Sequence, residues 1–443
     1  MLFSAQKAFD HIRVMAREIG IRPGGSPEER KAGEYVLRQF KAYGLETSVE
    51  PFRVEVPGKA EASIHVEGMG ALQTRPVCAT ASTPPRGVEG ELVFVESGEE
   101  VFLPKTKPGQ IFLLYGELGA PDKYEPLMRA KPAAIVLVEN ARFIEPRLTK
   151  LSNEKRDAFG AVPVVRIRFE DGDKIMRKGL KRAKVIAKVS HEWKQSQNIW
   201  GVLRGTEKPW EEVVVGGHYD SVWGGYGAQD NAGGAAVAME VARVFSHRGS
   251  KRTIRFCTFG CEELGLRGST AHVENLRKAH AQHLAKKRKP GWRLDWSPLE
   301  RTRLMLNVDL QGLLFGENYC PVGGPPELMS ACKLLASEMG PAMKFDDECY
   351  SSDNAPFAYA GVPTAAFGRL GVELMWAHTP ADTFDRCWKD SLAPVGQFLE
   401  VFLSRWVADA KAFPFKREIP EVHAKKVREY FKGRVFGYCE DRG

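Results

Sequence analysis

Val213-Val-Val-Gly-Gly-His-Tyr-Asp-Ser-Val-Trp-Gly-Gly-Tyr-Gly-Ala-Gln-Asp-Asn-Ala-Gly-Gly234 decides the fold. The β-branched run Val213 to Val215 reads as a short, fully buried strand. It ends at Gly216-Gly217 and delivers His218 and Asp220 two residues apart. A Gly-rich loop follows, then Asp230, then Ala235, Met239, Ala242 and Phe245 at helical spacing. The stretch is therefore strand, loop, helix. Its imidazole and carboxylates sit at the carboxyl edge of a strand, where open α/β sheets place their ligands. That donor set suits Zn²⁺, which takes nitrogen and carboxylate oxygen. Taken alone, the stretch also allows Asp230 as a plain N-cap and His218 as a hydrogen-bonded core histidine.

Working outward, the same placement recurs. Thr253-Ile-Arg-Phe-Cys-Thr-Phe259 reads as a strand that runs into Gly260-Cys-Glu262-Glu263-Leu-Gly-Leu-Arg-Gly268-Ser269. Two adjacent carboxylates at a strand end call for a counter-charge or a raised pKa. Leu304-Met-Leu-Asn-Val-Asp309 places another carboxylate at a strand end, and Trp376-Ala-His378-Thr-Pro-Ala-Asp382-Thr383 supplies a second histidine. These ligands are more than one tetrahedral zinc with an open position needs, and they suit two metals sharing a bridging carboxylate.

Upstream, Phe9, Ile12, Ala16 and Ile19 recur at helical spacing before Gly20. Ser26-Pro27-Glu28-Glu29 is a capping-box signature that opens a helix with Ala32, Val36, Phe40 and Tyr43 on one face. Phe52, Val54 and Val56 alternate as a strand that ends at Pro57-Gly58. From 58 to 190 short strand-like runs follow one another (92–95, 111–115, 135–138, 162–167, 185–189), and none ends in a His/Asp/Glu cluster. The expected organisation is 1–57 as the first part of a catalytic domain, 58–190 as an inserted β-rich domain with one or two helices, 191–410 as the rest of the catalytic domain, and 411–443 as a basic, Pro-containing tail. Phe398, Val401, Phe402 and Trp406 predict a packing helix.

At this point the sequence resembles a known family, the zinc aminopeptidases with two co-catalytic metals. Its relatives include members with a protease-associated domain, such as aminopeptidase Y, and the glutamate carboxypeptidase II type. The resemblance is carried by His218-Tyr-Asp220-Ser, Asp230-Asn-Ala-Gly-Gly, Glu262-Glu263-Leu-Gly-Leu-Arg-Gly-Ser, Asn307-Val-Asp309, Asp353-Asn-Ala-Pro-Phe and His378-Thr-Pro-Ala-Asp382-Thr, in that order. It covers 1–57 and 190–410, with 58–190 similar to a protease-associated domain. It implies an α/β fold with a mixed β-sheet sandwiched by helices, as in zinc exopeptidases. It implies two Zn²⁺ per chain: His218 and Asp309 on one, Glu263 and His378 on the other, Asp230 bridging them. Glu262 would be the general base, and Asp220 would orient His218. Gln229 stands where many members have a second Asp, and Asn354 where many have His, which bears on the outer side of the substrate pocket. Tyr350, Trp223, Tyr226, Phe367 and Trp376 are candidate pocket residues.

Composition limits the remaining choices. Lys+Arg 64 against Asp+Glu 56 leaves +8 over 443 residues, too diffuse to argue for a nucleic-acid partner. The basic run Lys286-Lys-Arg-Lys289 reads as a solvated loop. Eight cysteines without CxxC pairs read mostly as reduced core residues, Cys78, Cys257, Cys261, Cys320, Cys332 and Cys349 among them. No apolar run reaches a membrane span of about 20 residues, and the first residues carry no secretory pattern, so a cytoplasmic protein is expected, with a processed form left open. The expected partners are peptide substrates, with a homo-oligomer allowed. The expected function is a metal-dependent exopeptidase acting at peptide N-termini. The alternatives are a carboxypeptidase or non-peptide amidase on the same site, or a non-catalytic binding protein. Arg369 and Glu373, both close to His378, are the candidate anchors for a substrate's free end.

Overall fold

The computed structural model describes residues 2–118, 121–288, 295–348 and 351–434. The chain divides into two compact units: Met1–Val54 with Gln195–Arg428, and Glu55–Lys194 with the described residues from Glu429.

The first unit is built on a mixed sheet. Across it, the strands run in the order Met343–Asp346, Glu317–Gly323, Thr364–Leu370, Thr302–Val308, Lys208–His218, Arg252–Phe259 and the end of Arg182–Leu203. Lys208–His218 lies parallel to both Arg252–Phe259 and Thr302–Val308, and the latter is parallel to Thr364–Leu370. The outer pairings of Glu317–Gly323 with Thr364–Leu370 and of Arg252–Phe259 with Arg182–Leu203 are antiparallel. Successive strand residues face opposite sides. Val213 and Val215 accordingly join Ile254, Phe256, Leu304 and Leu306 in one core, beneath helices Ala5–Ile12, Pro27–Ala42, Gly233–Arg248 and Ala393–Phe402. Val214, Cys257, Phe259 and Met305 join the opposite core with Val273 and Phe357, from helices Arg267–Lys287 and Asn354–Tyr359. Both faces being covered, the parallel strands read as continuous apolar runs.

Register brings the chemistry together. His218 pairs with Phe259, and Val308 pairs with Phe367, so the parallel strands end level with one another. Asp309 and the loop of Glu262 and Glu263 therefore emerge at the same edge as His218.

The second unit carries more helix than expected. Val88–Phe94, Ile111–Tyr115, Ala134–Val138 and Val164–Ile167 are parallel neighbours, and Thr74–Pro76 pairs antiparallel with the last. Parallel neighbours need crossovers, which here include Pro121–Arg129 and Asn153–Phe159, and a third helix, Phe169–Arg177, follows the last parallel strand. These helices are of seven to nine residues, too short for their periodicity to stand out in the sequence.

Two other expectations are corrected. The strand Glu46–Val66 runs through Pro57-Gly58 instead of ending there. Ser26 caps helix Pro27–Ala42 by accepting from the Glu29 amide, but the Glu29 carboxylate accepts from the Gly25 amide and from Ser196 Oγ rather than closing a capping box. In the basic stretch after 410, Phe415 is buried against Phe402, and helix Glu421–Arg434 follows. Lysine and proline in 411–420 mask these aromatic anchors in the sequence. Cys78, Cys257, Cys261, Cys320, Cys332 and Cys387 are free and buried, while Cys349 lies outside the described residues. No helix among the described residues is long and apolar enough to cross a membrane.

Helix Gly233–Arg248 begins in backbone contact with the strand edge. A Cβ at Gly234 would stand 2.2 Å from the Val308 carbonyl oxygen. The same carbonyl accepts from Asn231 Nδ2 at 2.9 Å, and Asn231 Oδ1 accepts from the Gly234 amide. The Val308 contact is with main chain and the Asn231 side chain is bonded at both ends, so Gly234→Ala is expected to lower the unfolding free energy by roughly 1–3 kcal/mol, the usual cost of overpacking. Urea denaturation of the variant against the parent measures it, and equal midpoints would contradict this close contact.

Candidate metal centre

His218 is buried at the end of its strand, and three carboxylates surround its Nε2: Asp230 Oδ1 at 3.3 Å, Asp309 Oδ1 at 3.5 Å and Glu262 Oε2 at 3.8 Å. His378 approaches from the other side, its Nε2 3.2 Å from Asp230 Oδ2 and 3.0 Å from Glu263 Oε2. Two ligand clusters result, His218 with Asp230 and Asp309, and Asp230 with Glu263 and His378. Asp230 belongs to both and turns one carboxylate oxygen to each imidazole. The competing N-cap reading of Asp230 fails, because the residue is extended at φ −120° and the helix starts after Ala232, with the Gly234 amide taken by Asn231 Oδ1 and not by Asp230.

Asp220 lies behind the first cluster. Its Oδ1 is 3.4 Å from His218 Nδ1 and accepts from the Glu262 amide at 3.0 Å, while its other oxygen accepts from the Glu263 amide at 3.3 Å. One carboxylate thus lies behind the imidazole and holds the main chain that bears both glutamates. Asp382 does the same for the bridge: its two oxygens accept from the amides of Gln229 and Asp230 at 2.8 and 3.1 Å.

The electrostatics follow from crowding. Burial alone would lower His218 and His378, but the surrounding carboxylates outweigh it and raise both well above the usual histidine range. Burial pushes Glu262 well above the usual carboxylate range, and Glu263, Asp353 and Asp309 add to it against His218. Glu263 is raised by burial and by Asp230, against His378. Asp230 is held low, because its bonds to the two imidazoles overcome burial. Burial brings Asp353 and Asp382 each to about 7. Bound cations would relieve such an excess of buried acid. Glu263 Oε1, buried and without a hydrogen-bond partner among the described residues, is one donor left for them.

Among the other sequence-predicted residues, Trp223 and Tyr226 are partly exposed, and the Arg386 guanidinium lies over the Trp376 ring at 4.2 Å. Phe367 is not a pocket residue; it is fully buried in the core against Phe398, because it points inward from its strand. Gln229 and Asn354 are both fully buried. Tyr350 lies outside the described residues. Two residues that matter here had no role in the sequence reading. Asp382 had a signal in its fixed offset from His378, whereas Arg22, fully buried beside the 219–227 loop, had none.

Residues 198–403 match the sequence profile of Peptidase family M28. The chain is 28% identical over 408 residues to aminopeptidase YwaD of Bacillus subtilis, covering 90% of this chain and 84% of that one. It is 25% identical over 294 residues to carboxypeptidase Q of Rattus norvegicus, 62% of each chain. Among solved structures, a zinc aminopeptidase from Bacillus subtilis superposes with a TM-score of 0.74 at 26% identity, covering 95% of this chain and all of that one. An aminopeptidase from Aneurinibacillus does so at 0.72 and 25%, covering 95% and 96%. Residues 198–403, which contain both ligand clusters, are thus similar to peptidase family M28, on a fold shared with the zinc aminopeptidase structures.

Proposed function

We propose that this chain is a dizinc aminopeptidase that hydrolyses the N-terminal peptide bond of peptides. One observation carries the reading: the Asp230 carboxylate is shared by two ligand clusters, with an imidazole 3.3 Å from one oxygen and another 3.2 Å from the other. The donors fit zinc in kind, two imidazole nitrogens and carboxylate oxygens. His218 and Asp309 would hold one ion and Glu263 and His378 the other, with Asp230 common to both. When bound, the ions would supply Lewis-acid polarisation of the scissile carbonyl and make water a competent nucleophile near neutral pH.

The chain's own groups do the rest. Glu262 stands 3.8 Å from His218 Nε2 and belongs to neither ligand cluster, so it is free to take a proton from the attacking water and deliver it to the leaving amine. Asp220 keeps His218, Glu262 and Glu263 in register, and Asp382 keeps Asp230. Trp223, Tyr226 and Trp376 would form an apolar wall for the substrate side chain, and the second unit would serve as a protease-associated-like insertion outside the chemistry.

The likeness to carboxypeptidase Q keeps one alternative in view, recognition of a free carboxylate. Arg369 does not favour it. Its nitrogens donate to the Leu313 and Leu314 carbonyls and to Asn318 Oδ1, which commits the guanidinium to bracing a loop.

Incubating the zinc-loaded protein with a mixed peptide pool and reading the products by mass spectrometry is expected to give ladders shortened from the N-terminus. C-terminal ladders would move the reading to a carboxypeptidase, and an intact pool with both ions bound would remove the peptidase reading. Glu262→Gln is expected to keep both ions and lower turnover by about 10²–10⁴-fold, the usual worth of a general acid–base group; near-normal turnover would exclude Glu262 as the base. Stripping metal with a chelator is expected to abolish hydrolysis, and added zinc to restore it.

A further inference from the structure

Arg22 sits in the short segment between the first two helices, where nothing in the local pattern marks it for a role. It is fully buried. Its guanidinium donates to four main-chain carbonyls: Nε to Tyr219 at 2.6 Å, one terminal nitrogen to Gly20 at 3.2 Å and to Tyr226, the other to Gly227 at 2.6 Å. The main chain is tied as well. The Arg22 amide donates to Ser221 Oγ at 3.1 Å, and the Ser221 amide donates back to the Arg22 carbonyl at 3.2 Å. Ser221 Oγ in turn donates to the Gly225 carbonyl at 2.8 Å.

Three of those carbonyls, of Tyr219, Tyr226 and Gly227, lie at the two ends of one loop. Tyr219 lies between His218 and Asp220, and Gly227 lies three residues before Asp230. The loop closes tightly: Gly227 is left-handed at φ 56°, and a Cβ there would stand 2.6 Å from Ser221 Cβ and 2.5 Å from the Asp230 carbonyl oxygen. The guanidinium also faces the acidic centre. Burial lowers it to about 10, and Asp220, Asp382, Glu263 and Asp230 act against that burial. A planar fork can hold several carbonyls at fixed angles, which a single ammonium on a flexible stem does not reproduce.

We propose that Arg22 is a positioning residue of the metal centre: one guanidinium ties together the two ends of the 219–227 loop and so sets the placement of His218 and Asp220 relative to the bridging Asp230. The inference rests on the dizinc reading above. Groups that orient metal ligands usually carry about a 10–100-fold share of metal affinity.

The test is zinc retention by the full-length protein against a graded chelator, measured for the parent, Arg22→Lys and Arg22→Met, with circular dichroism to confirm folding. The parent is expected to hold two ions. Both variants are expected to lose affinity for at least one ion by about 10–100-fold, and lysine is expected not to rescue, because it restores charge without the fork. A folded variant that holds zinc as tightly as the parent overturns the proposal, and so does full rescue by lysine. A parent that binds no zinc at all overturns the dizinc reading instead, a distinct result. Should neither variant fold, Ser221→Ala loosens the same loop by removing the acceptor of the Arg22 amide, and unchanged zinc retention there overturns the proposal.

Discussion

A single carboxylate between two imidazoles is the constraint on which the rest of this structure depends. Asp230 can face both His218 and His378 only if its main chain is held from behind, and the Asp382 carboxylate does this through two amides. Around it the protein has buried more acid than two imidazoles can balance. Like charges in a low-dielectric site drive each other toward the neutral form, and the raised Glu262, Glu263, Asp353 and Asp382 are the result. Such crowding is costly in a purely structural core. It is intelligible where cations are meant to complete it, which is the strongest physical support for the proposed metal centre.

The fold meets this constraint with rigid parts. Three parallel strands end level, and each gives its first loop residues to the site. Helix Gly233–Arg248 presses its first turn against the Val308 carbonyl with no side chain between, which fixes Asp230 to the strand that carries Asp309. Left-handed backbone at Cys261, Leu310 and His378, none of them glycine, marks the same loops. Strain of this kind persists where surrounding structure over-determines the conformation, and it gathers at functional sites.

How much of this the sequence disclosed follows from the range of each signal. His218, Asp220, Asp230, Glu262, Glu263 and Asp309 were legible because a buried strand followed by polar residues is a local pattern, and repetition of that pattern pointed to one sheet edge. Their conjunction in space needed the strand register, which no local pattern carries. Arg22 was illegible: an arginine before Pro-Gly-Gly-Ser reads as loop, and its acceptors lie about 200 residues away. Glu29 shows a local rule losing to tertiary context, since burial beside Ser196 and Cys261 draws its carboxyl away from the helix cap and pushes it up to about 8. Phe367 shows the reverse error. It stood among the candidate pocket residues, while alternation along its strand sends it into the core.

The division of the larger unit has a consequence for how the chain is made. Met1–Val54 supplies Arg22 and two helices of the main core, but the strands they pack on begin only after Lys194. A ribosome must therefore add about 140 residues before the partners appear, a delay of roughly 7–28 s at about 5–20 residues per second. During that interval Ile12, Met15, Val36 and Phe40 have no core to enter. Glu55–Lys194, with cores of its own, can condense in the meantime. The nascent chain thus passes through a stage in which an amphipathic segment waits on a later one, and in that stage it offers a chaperone or an aggregating neighbour apolar surface that the finished molecule buries.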